Sequence, residues 1–404
     1  MSRQALIAGG GIGALAAALA CARAGWQTRV YEQAPVFSEV GAGIQLGPNS
    51  TRVLQAWGLG NALESVASFP ERLVVKDALD GRELGRLRLG QRCLERYGSP
   101  YATVHRADLH GLLLEACAAS GAVDLRLDAR VRAFTETDTA VQLEWPDGKC
   151  VEGDALIGAD GLWSQVRAKL LGDGPARLTG HLAYRALQVQ ADLPESQRSQ
   201  QVSVWLGPML HVVRYPVRGG ALLNTVVFVH GAPRGDVEDW DQSALAVDLQ
   251  SALAGTCASL REMVESVGQW RLWTLNDRSP VTSPGQMALG RVALLGDAAH
   301  PMRPYMAQGA GMAIEDAAEL ARCLGTVERG TVDVPLALRR YALNRWERSA
   351  RVQRRAQRNG EVFHATGLMR WGRDLSMNLL GERLLDVPWL YGMPKATRLG
   401  VSAS

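Results

Sequence analysis

Cysteine is scarce in this chain of 404 residues: Cys21, Cys93, Cys117, Cys150, Cys257 and Cys323 are scattered, with no CxxC pair and no metal-cluster spacing. That argues against a disulfide framework and a structural metal site, and reads as reduced thiols in a cytoplasmic protein with no metal. Net charge is nearly absent, since 44 Lys and Arg against 41 Asp and Glu leave +3, too little to imply a nucleic-acid partner. Long apolar runs are missing too. No stretch approaches the roughly 20 apolar residues that span a bilayer, so no membrane partner is expected. The one run that imitates a secretory signal, Arg3 through ALACARAG, is broken by Gly9, Gly10, Gly11 and Gly13 at the spacing of a strand-to-helix turn, and reads as the first strand of the fold. Internal repeats and low-complexity segments are likewise lacking. At this length the chain can bury a sizeable core, in one domain or two intimately packed ones.

What is present is glycine in three informative places. The turn Gly9-x-Gly11-x-x-Ala14, which includes Gly13, follows an apolar strand over 5–8 and opens an Ala-rich helix over 15–24. Such glycines allow a tight turn and bring backbone N–H groups up to a pyrophosphate. The next strand, TRVYEQ, ends in Glu32, placed to accept hydrogen bonds from an adenosine ribose. The second place is Asp160-Gly161 in IGADGLWSQVR, and the third is Gly296-Asp297 in VALLGDAAHPMRPYMAQGAGMAIEDA. Asp297 closes a strand where a carboxylate can bind ribitol hydroxyls. The helix starting near Gly309 aims its N–H groups and positive end at whatever precedes it, which suits a reduced flavin. Taken together, the three motifs describe one FAD held noncovalently along its length.

Between these motifs the pattern changes. LVVKDALDGRELGRLRLG alternates apolar and polar residues across Asp80-Gly81 and reads as an antiparallel hairpin; GAGIQLGPN reads as a Gly-rich loop. A helix is expected from Arg106 to about Ala119, then strands near VDLRLD, AVQLEW and CVEGDALIGAD. VSVWL, HVVRYPV and ALLNTVVFVHG read as a meander. The expected organisation is a discontinuous FAD-binding domain (1–72, 103–177 and 276–345), a β-rich substrate domain (73–102 and 178–275) and a C-terminal helical region (346–404). Eight arginines between Arg339 and Arg358 read as a solvated amphipathic face partnered by Glu347 and Glu361. Arg167 reads as a phosphate or carboxylate partner or a structural ion pair, and His300 as a residue serving its own loop. His211 and Tyr215, four apart on a strand, share one side of the sheet. They are a packed core pair or a catalytic pair.

With GADG, GDAAHPM and AQGAGMAIEDA quoted, the chain from Gln4 to about Tyr391 resembles the class A flavoprotein aromatic hydroxylases. The resemblance implies an α/β fold: a Rossmann-like FAD-binding domain of the glutathione-reductase type, similar to para-hydroxybenzoate hydroxylase, with an inserted β-sheet substrate domain and C-terminal helices. It implies FAD contacts at Gly9, Gly11, Gly13, Ala14, Glu32, Gln33, Gly43, Arg106, Val131, Asp160, Asp297, Gly309, Ala310, Gly311 and Met312, with Arg106 set against the pyrophosphate. It also implies no separate nicotinamide domain. The implied reaction is monooxygenation of a small phenolic aromatic acid, with NADH or NADPH as hydride donor and O2 as oxygen source; a homodimer is the expected assembly.

HxxxY, here His211 and Tyr215, occurs in the 3-hydroxybenzoate 6-hydroxylases and the 6-hydroxynicotinate hydroxylases, where it meets the ring hydroxyl. The resemblance therefore implies His211 as base, with an ordinary pKa near working pH, and Tyr215 sharing or relaying its hydrogen bond. Gln45 and Pro304 join them as substrate-binding positions. Gln45 stands where the hydroxynicotinate enzymes have His, and Val202 where they have Cys, which favours the 3-hydroxybenzoate branch and a 2,5-dihydroxybenzoate product. Pro304, where some members of that branch carry Gln, puts the substrate pose in question. Salicylate or hydroxynicotinate hydroxylation are the alternatives within the class; a flavin oxidase or dehydrogenase and a non-catalytic nucleotide sensor are those outside it.

Overall fold

The computed structural model describes residues 3–37, 42–145, 148–233, 235–239, 242–245 and 247–392. An apolar strand such as Gln4–Ala8 hides both its faces only inside a sheet. It lies between two parallel neighbours, Ala155–Gly158 and Gln27–Tyr31. Val123–Arg126 and Val292–Leu294 extend this parallel sheet on either side, and the antiparallel Ala288–Leu289 completes six strands. Its members thus come from three widely separated stretches of chain. The Ala-rich helix Ile12–Arg23 packs between the sheet and the helix Gly309–Glu328; its side chains from Ala14 to Ala18 are wholly buried. Small residues allow that close approach.

A second sheet has eight strands, ordered Gln242–Ala244, Trp270–Asp277, Arg177–Val189, Leu222–His230, Leu210–Val217, Val202–Gly207, Arg72–Asp77 and Glu83–Arg88. The expected meander is its centre, with three strands paired antiparallel in sequence order. The expected hairpin across Asp80-Gly81 forms its edge, with Gly81 at φ +76°. Because side chains alternate across a strand, this sheet has two chemically different faces. Tyr184, Val212, Val227 and Val229 pack on the helices Val247–Leu253 and Ala258–Glu265. The opposite face carries His181, Arg185, His211, Tyr215, Asn224, Phe228 and His230, since His181 pairs with His230, His211 with Phe228 and Tyr215 with Asn224.

Two sequence expectations need correction here. GAGIQLGPN is not simply a loop: Gly43–Leu46 is a strand, paired antiparallel with Ala102–His105. The arginine-rich stretch lies on a 30-residue helix, Val334–Phe363, but two of its arginines do not face water. Arg345, 5% exposed, donates to Glu315 (2.7 Å) and Asp316 (2.7 Å), and Arg348 donates twice to Glu315 (2.6 and 2.7 Å). Two adjacent buried carboxylates require such cationic partners. Arg351 stacks over Trp389 at 3.9 Å. Among the described residues, no helix is long and apolar enough to cross a membrane.

Candidate active site

The glycine turn is fixed by contacts that only glycine tolerates. Gly9 adopts φ +104°, and a Cβ there would lie 2.5 Å from the carbonyl oxygen of Ala159. The Gly10 carbonyl is engaged by His110 Nε2 at 2.7 Å, which fixes the orientation of that peptide. The helix Ile12–Arg23 begins at Gly11 with no side-chain cap and no acidic residue in its first turn. Its first N–H groups and positive end are therefore available to an anion. Glu32 follows directly on the strand Gln27–Tyr31 beside this turn, close enough that a Cβ on Gly10 would strike its carboxylate.

The other end of the cleft is built the same way. The helix Gly309–Glu328 also starts without a side-chain cap or an acidic residue, preceded by Ala307 at φ +50°. Asp297 is exposed in the cleft but enclosed by protein elsewhere; that enclosure raises its pKa, while His300 and Arg106 oppose the rise. Arg106 and Asp297 thus belong to one electrostatic neighbourhood. Beneath them lies a buried polar network. His300 Nε2 meets Asp316 at 2.5 Å, the N–H of Gly296 donates to Asp316 at 3.1 Å, and Asn49 donates to Glu315 (2.6 Å) and Gln308 (3.0 Å). Burial raises the carboxyl pKa values of Asp316 and Glu315, but the neighbouring cations overcome it and leave both low. This network pins the helix start to the Gly-Asp loop.

Across the cleft, the polar face of the eight-stranded sheet holds two separate clusters. His211, 1% exposed, stacks on Phe228 (centroids 4.3 Å, 11° between planes) and meets Tyr305 and Phe363 edge-on at 4.9 and 5.4 Å. Its Nδ1 is 2.7 Å from His364 Nε2, and His364 Nδ1 is 2.8 Å from His230 Nε2. His181 Nδ1 is bonded to the Tyr305 hydroxyl. Burial, then the neighbouring imidazoles, push the pKa of His211 well below its ordinary value. At the other cluster Tyr215 donates to the Gly43 carbonyl at 2.6 Å, and Asn224 Oδ1 accepts from Gly43 N at 2.8 Å. The Tyr101 hydroxyl donates to Gln45 at 2.5 Å, and Gln45 in turn reaches the Tyr215 hydroxyl. Burial raises the Tyr215 pKa, while Gln45 and the positive charge of Arg185 oppose the rise.

Residues 2–356 match the model of a family described as FAD binding domain. The 3-hydroxybenzoate 6-hydroxylase of Polaromonas naphthalenivorans is 41% identical over 390 residues, covering 96% of this chain and 95% of that one. The chain belongs to the class A FAD-dependent aromatic hydroxylases. This flavoprotein monooxygenase is also 40% identical over 391 residues to the 3-amino-4-hydroxybenzoate 2-monooxygenase PtmB3 of Streptomyces platensis, covering 96% of each chain. Its fold matches that of Klebsiella pneumoniae HpxO complexed with FAD and uric acid, with a TM-score of 0.82, 28% identity, and coverage of 95% of this chain and 94% of that one. The uncapped helix starts and the cleft they face fit the FAD that this family binds.

Within this flavoenzyme several expectations change. Asp160 has both oxygens engaged by protein: it accepts from Ser164 Oγ (2.5 Å) and from the N–H groups of Gln165 (2.8 Å) and Val166 (3.2 Å), holding the start of Gln165–Leu171. Val131 is buried in the core, which leaves its main chain for a cofactor, while Gln33 is exposed. Gly43 is a close contact between a separate three-stranded sheet and the eight-stranded one, since a Cβ there would lie 2.6 Å from the Tyr215 ring. His211 is not poised near neutral pH, as its burial shows, and Tyr215 does not share its hydrogen bond. Four strand residues separate their Cα atoms by ~13 Å. Pro304 begins the turn Pro304–Met306, whose Tyr305 is the ring that touches His211. Arg167 is structural, donating to Asp173 (2.5 Å) and to the carbonyls of Ala298 (3.0 Å) and Ala299 (2.7 Å). His300 serves its own loop, as expected.

Sequence reasoning missed Tyr305, Phe228, Phe363, His110, and above all His181, His230 and His364. Four of the seven histidines converge on one corner of the sheet. Nitrogens of His181, His230 and His364 lie within 4.8 Å of one another. His364 has both ring nitrogens engaged, by His211 and His230, and could hold a cation only by giving up one of those hydrogen bonds. The signal was present in part: His181 within one strand and His230 at the end of its neighbour become a cross-strand pair once register is known.

Proposed function

We propose that this flavoprotein hydroxylates 3-hydroxybenzoate para to its hydroxyl, giving 2,5-dihydroxybenzoate, with NADH or NADPH as hydride donor and O2 as oxygen source. The observation that carries this reading is the polarity of one strand, Leu210–Val217. One end offers a neutral imidazole in an aromatic box; the other offers Tyr215, Gln45 and Tyr101 near the Arg185 guanidinium. An aromatic acid fits with its hydroxyl at His211 and its carboxylate at the Tyr215 cluster. Substituents held apart by the ring suit anchors this far apart; adjacent ones, as in salicylate, do not.

Bound FAD supplies hydride acceptance and oxygen activation. The protein prepares the ring. His211 takes the phenolic proton at Nε2, because Nδ1 is held by His364, and the resulting phenolate is electron-rich at the para carbon. Phe228, Tyr305 and Phe363 exclude water around that proton. Tyr101 and Tyr215 hold Gln45, whose free amide N–H orients the carboxylate beside the positive charge of Arg185.

The test is a panel of 3-hydroxybenzoate, salicylate, 6-hydroxynicotinate and 3-amino-4-hydroxybenzoate scored for hydroxylated product rather than nicotinamide loss. The expected product is 2,5-dihydroxybenzoate from 3-hydroxybenzoate. Catechol from salicylate as the main product, turnover of the pyridine ring alone, or preference for the amino acid ring would overturn the substrate assignment.

A further inference from the structure

We propose that His211, His364 and His230 form a proton wire that carries the substrate's phenolic proton from the buried site to solvent. The wire rests on the reading of His211 as the base. Its geometry is continuous: His211 Nδ1 to His364 Nε2 is 2.7 Å, and His364 Nδ1 to His230 Nε2 is 2.8 Å. Its burial is graded, with His211 1% exposed, His364 5% exposed and His230 exposed at the end of its strand. The inner ring is reached through the middle one, and the outer ring meets water.

A neutral imidazole has one donor nitrogen and one acceptor, so three in a row can all donate in the same direction. When the phenolic O–H bond breaks, an N–H bond forms at His211 Nε2. The His211 Nδ1 proton passes to His364 Nε2, the His364 Nδ1 proton to His230 Nε2, and the His230 Nδ1 proton to water. No net charge remains on a buried ring, and the phenolate stays as the only new charge. Ring reorientation or a second passage in reverse resets the tautomers.

The surroundings explain why onward transfer matters. The groups facing the wire are His181 and Tyr305 on the inner side, with Arg303 and Arg373 nearby and Asp277 paired to Arg303 at 2.9 Å. Burial and this mostly positive company lower the His364 pKa to about 3 and hold His211 well below its ordinary value. A proton parked on His211 would be unstable there. A wire removes it without requiring a buried imidazolium to accumulate. His364 is held in place for this by the C-terminus of Val334–Phe363 and by its carbonyl, which accepts from Met209 N at 3.2 Å.

The experiment follows ionisation of bound 3-hydroxybenzoate by stopped-flow absorbance on the oxidised holoenzyme, with a pH indicator reporting the released proton. His364→Gln keeps a hydrogen-bonding side chain beside His211 but cannot pass a proton through it. The expected result is FAD content and ligand affinity near wild type, with ionisation and proton release slowed by about tenfold or more. His230→Ala, at the exposed end, should slow release in weak buffer and recover when imidazole is added, a rescue that a structural role would not give. Wild-type ionisation rates in His364→Gln, or in His230→Ala in weak buffer, would overturn the wire. The base assignment fails separately: it falls if His211→Ala ionises the ligand as fast as wild type, whereas the wire alone falls if His211→Ala abolishes ionisation and the other two variants do not.

Discussion

Gly9 is held at φ +104° against the Ala159 carbonyl, so Gly9→Ala combines a strained backbone with a contact of 2.5 Å. That strain costs about 1–3 kcal/mol, and the predicted result is a lower melting temperature together with loss of FAD on gel filtration. Asp297→Ala separates the two effects. It removes a cleft carboxylate without strain and should weaken FAD retention; unchanged affinity would remove the Gly-Asp motif from the flavin site. His211→Ala should lower hydroxylation by about 10² to 10⁴-fold while FAD content stays near wild type, with nicotinamide oxidation continuing as hydrogen peroxide release. Tyr215→Phe has a different signature because Tyr215 belongs to the other cluster. Loss of the hydroxyl that holds Gln45 and Gly43 in place should raise KM by about threefold to tenfold and leave ionisation of bound ligand to His211. A fall in kcat with unchanged KM would return Tyr215 to the proton step.

The helix Val334–Phe363 is where element-level reading from sequence stopped short. Its eight arginines looked alike, yet Arg345 and Arg348 reach Glu315 and Asp316 on Gly309–Glu328 while Arg351 lies over Trp389. Arginines three residues apart share a helix face, and adjacent acids within an otherwise apolar helix start call for partners; what the sequence lacked was the packing of the two helices. The dinucleotide turn, the Asp80-Gly81 hairpin and the meander were legible because each is decided by local pattern and turn chemistry. The histidine corner was not, since His181 and His230 meet only through strand register and His364 arrives from a helix end. Arg345→Ala should destabilise the protein by about 3–5 kcal/mol, because it leaves buried Asp316 and Glu315 short of a partner. Thermal unfolding measures this. A melting temperature equal to wild type would show that Arg348 and His300 suffice.

Across the whole molecule, a six-stranded parallel sheet carries the helix starts that suit FAD, and the polar face of the eight-stranded sheet carries the proposed aromatic acid site. The same burial that keeps the site dry makes the fold sensitive to acid. His181, with its pKa lowered to about 4, His364, lowered to about 3, and His211 stay neutral in the folded protein while the unfolded chain protonates them below 6.5. The unfolded state then binds more protons, so stability is complete above pH 6.5 and declines as pH falls toward the folded values, by on the order of 2 kcal/mol for His364 at about pH 5. Glu315 and Asp316, whose pKa values are depressed, add a further loss only as pH drops below their ordinary range near 4. A melting temperature that does not fall between about pH 7 and about pH 5 would contradict the neutral histidine corner. The most direct test of the account is turnover of 3-hydroxybenzoate under 18O2 with product mass and nicotinamide use recorded together. The account predicts 2,5-dihydroxybenzoate carrying one labelled oxygen for each nicotinamide oxidised; unlabelled product, catechol from salicylate as the preferred conversion, or hydrogen peroxide alone would contradict it.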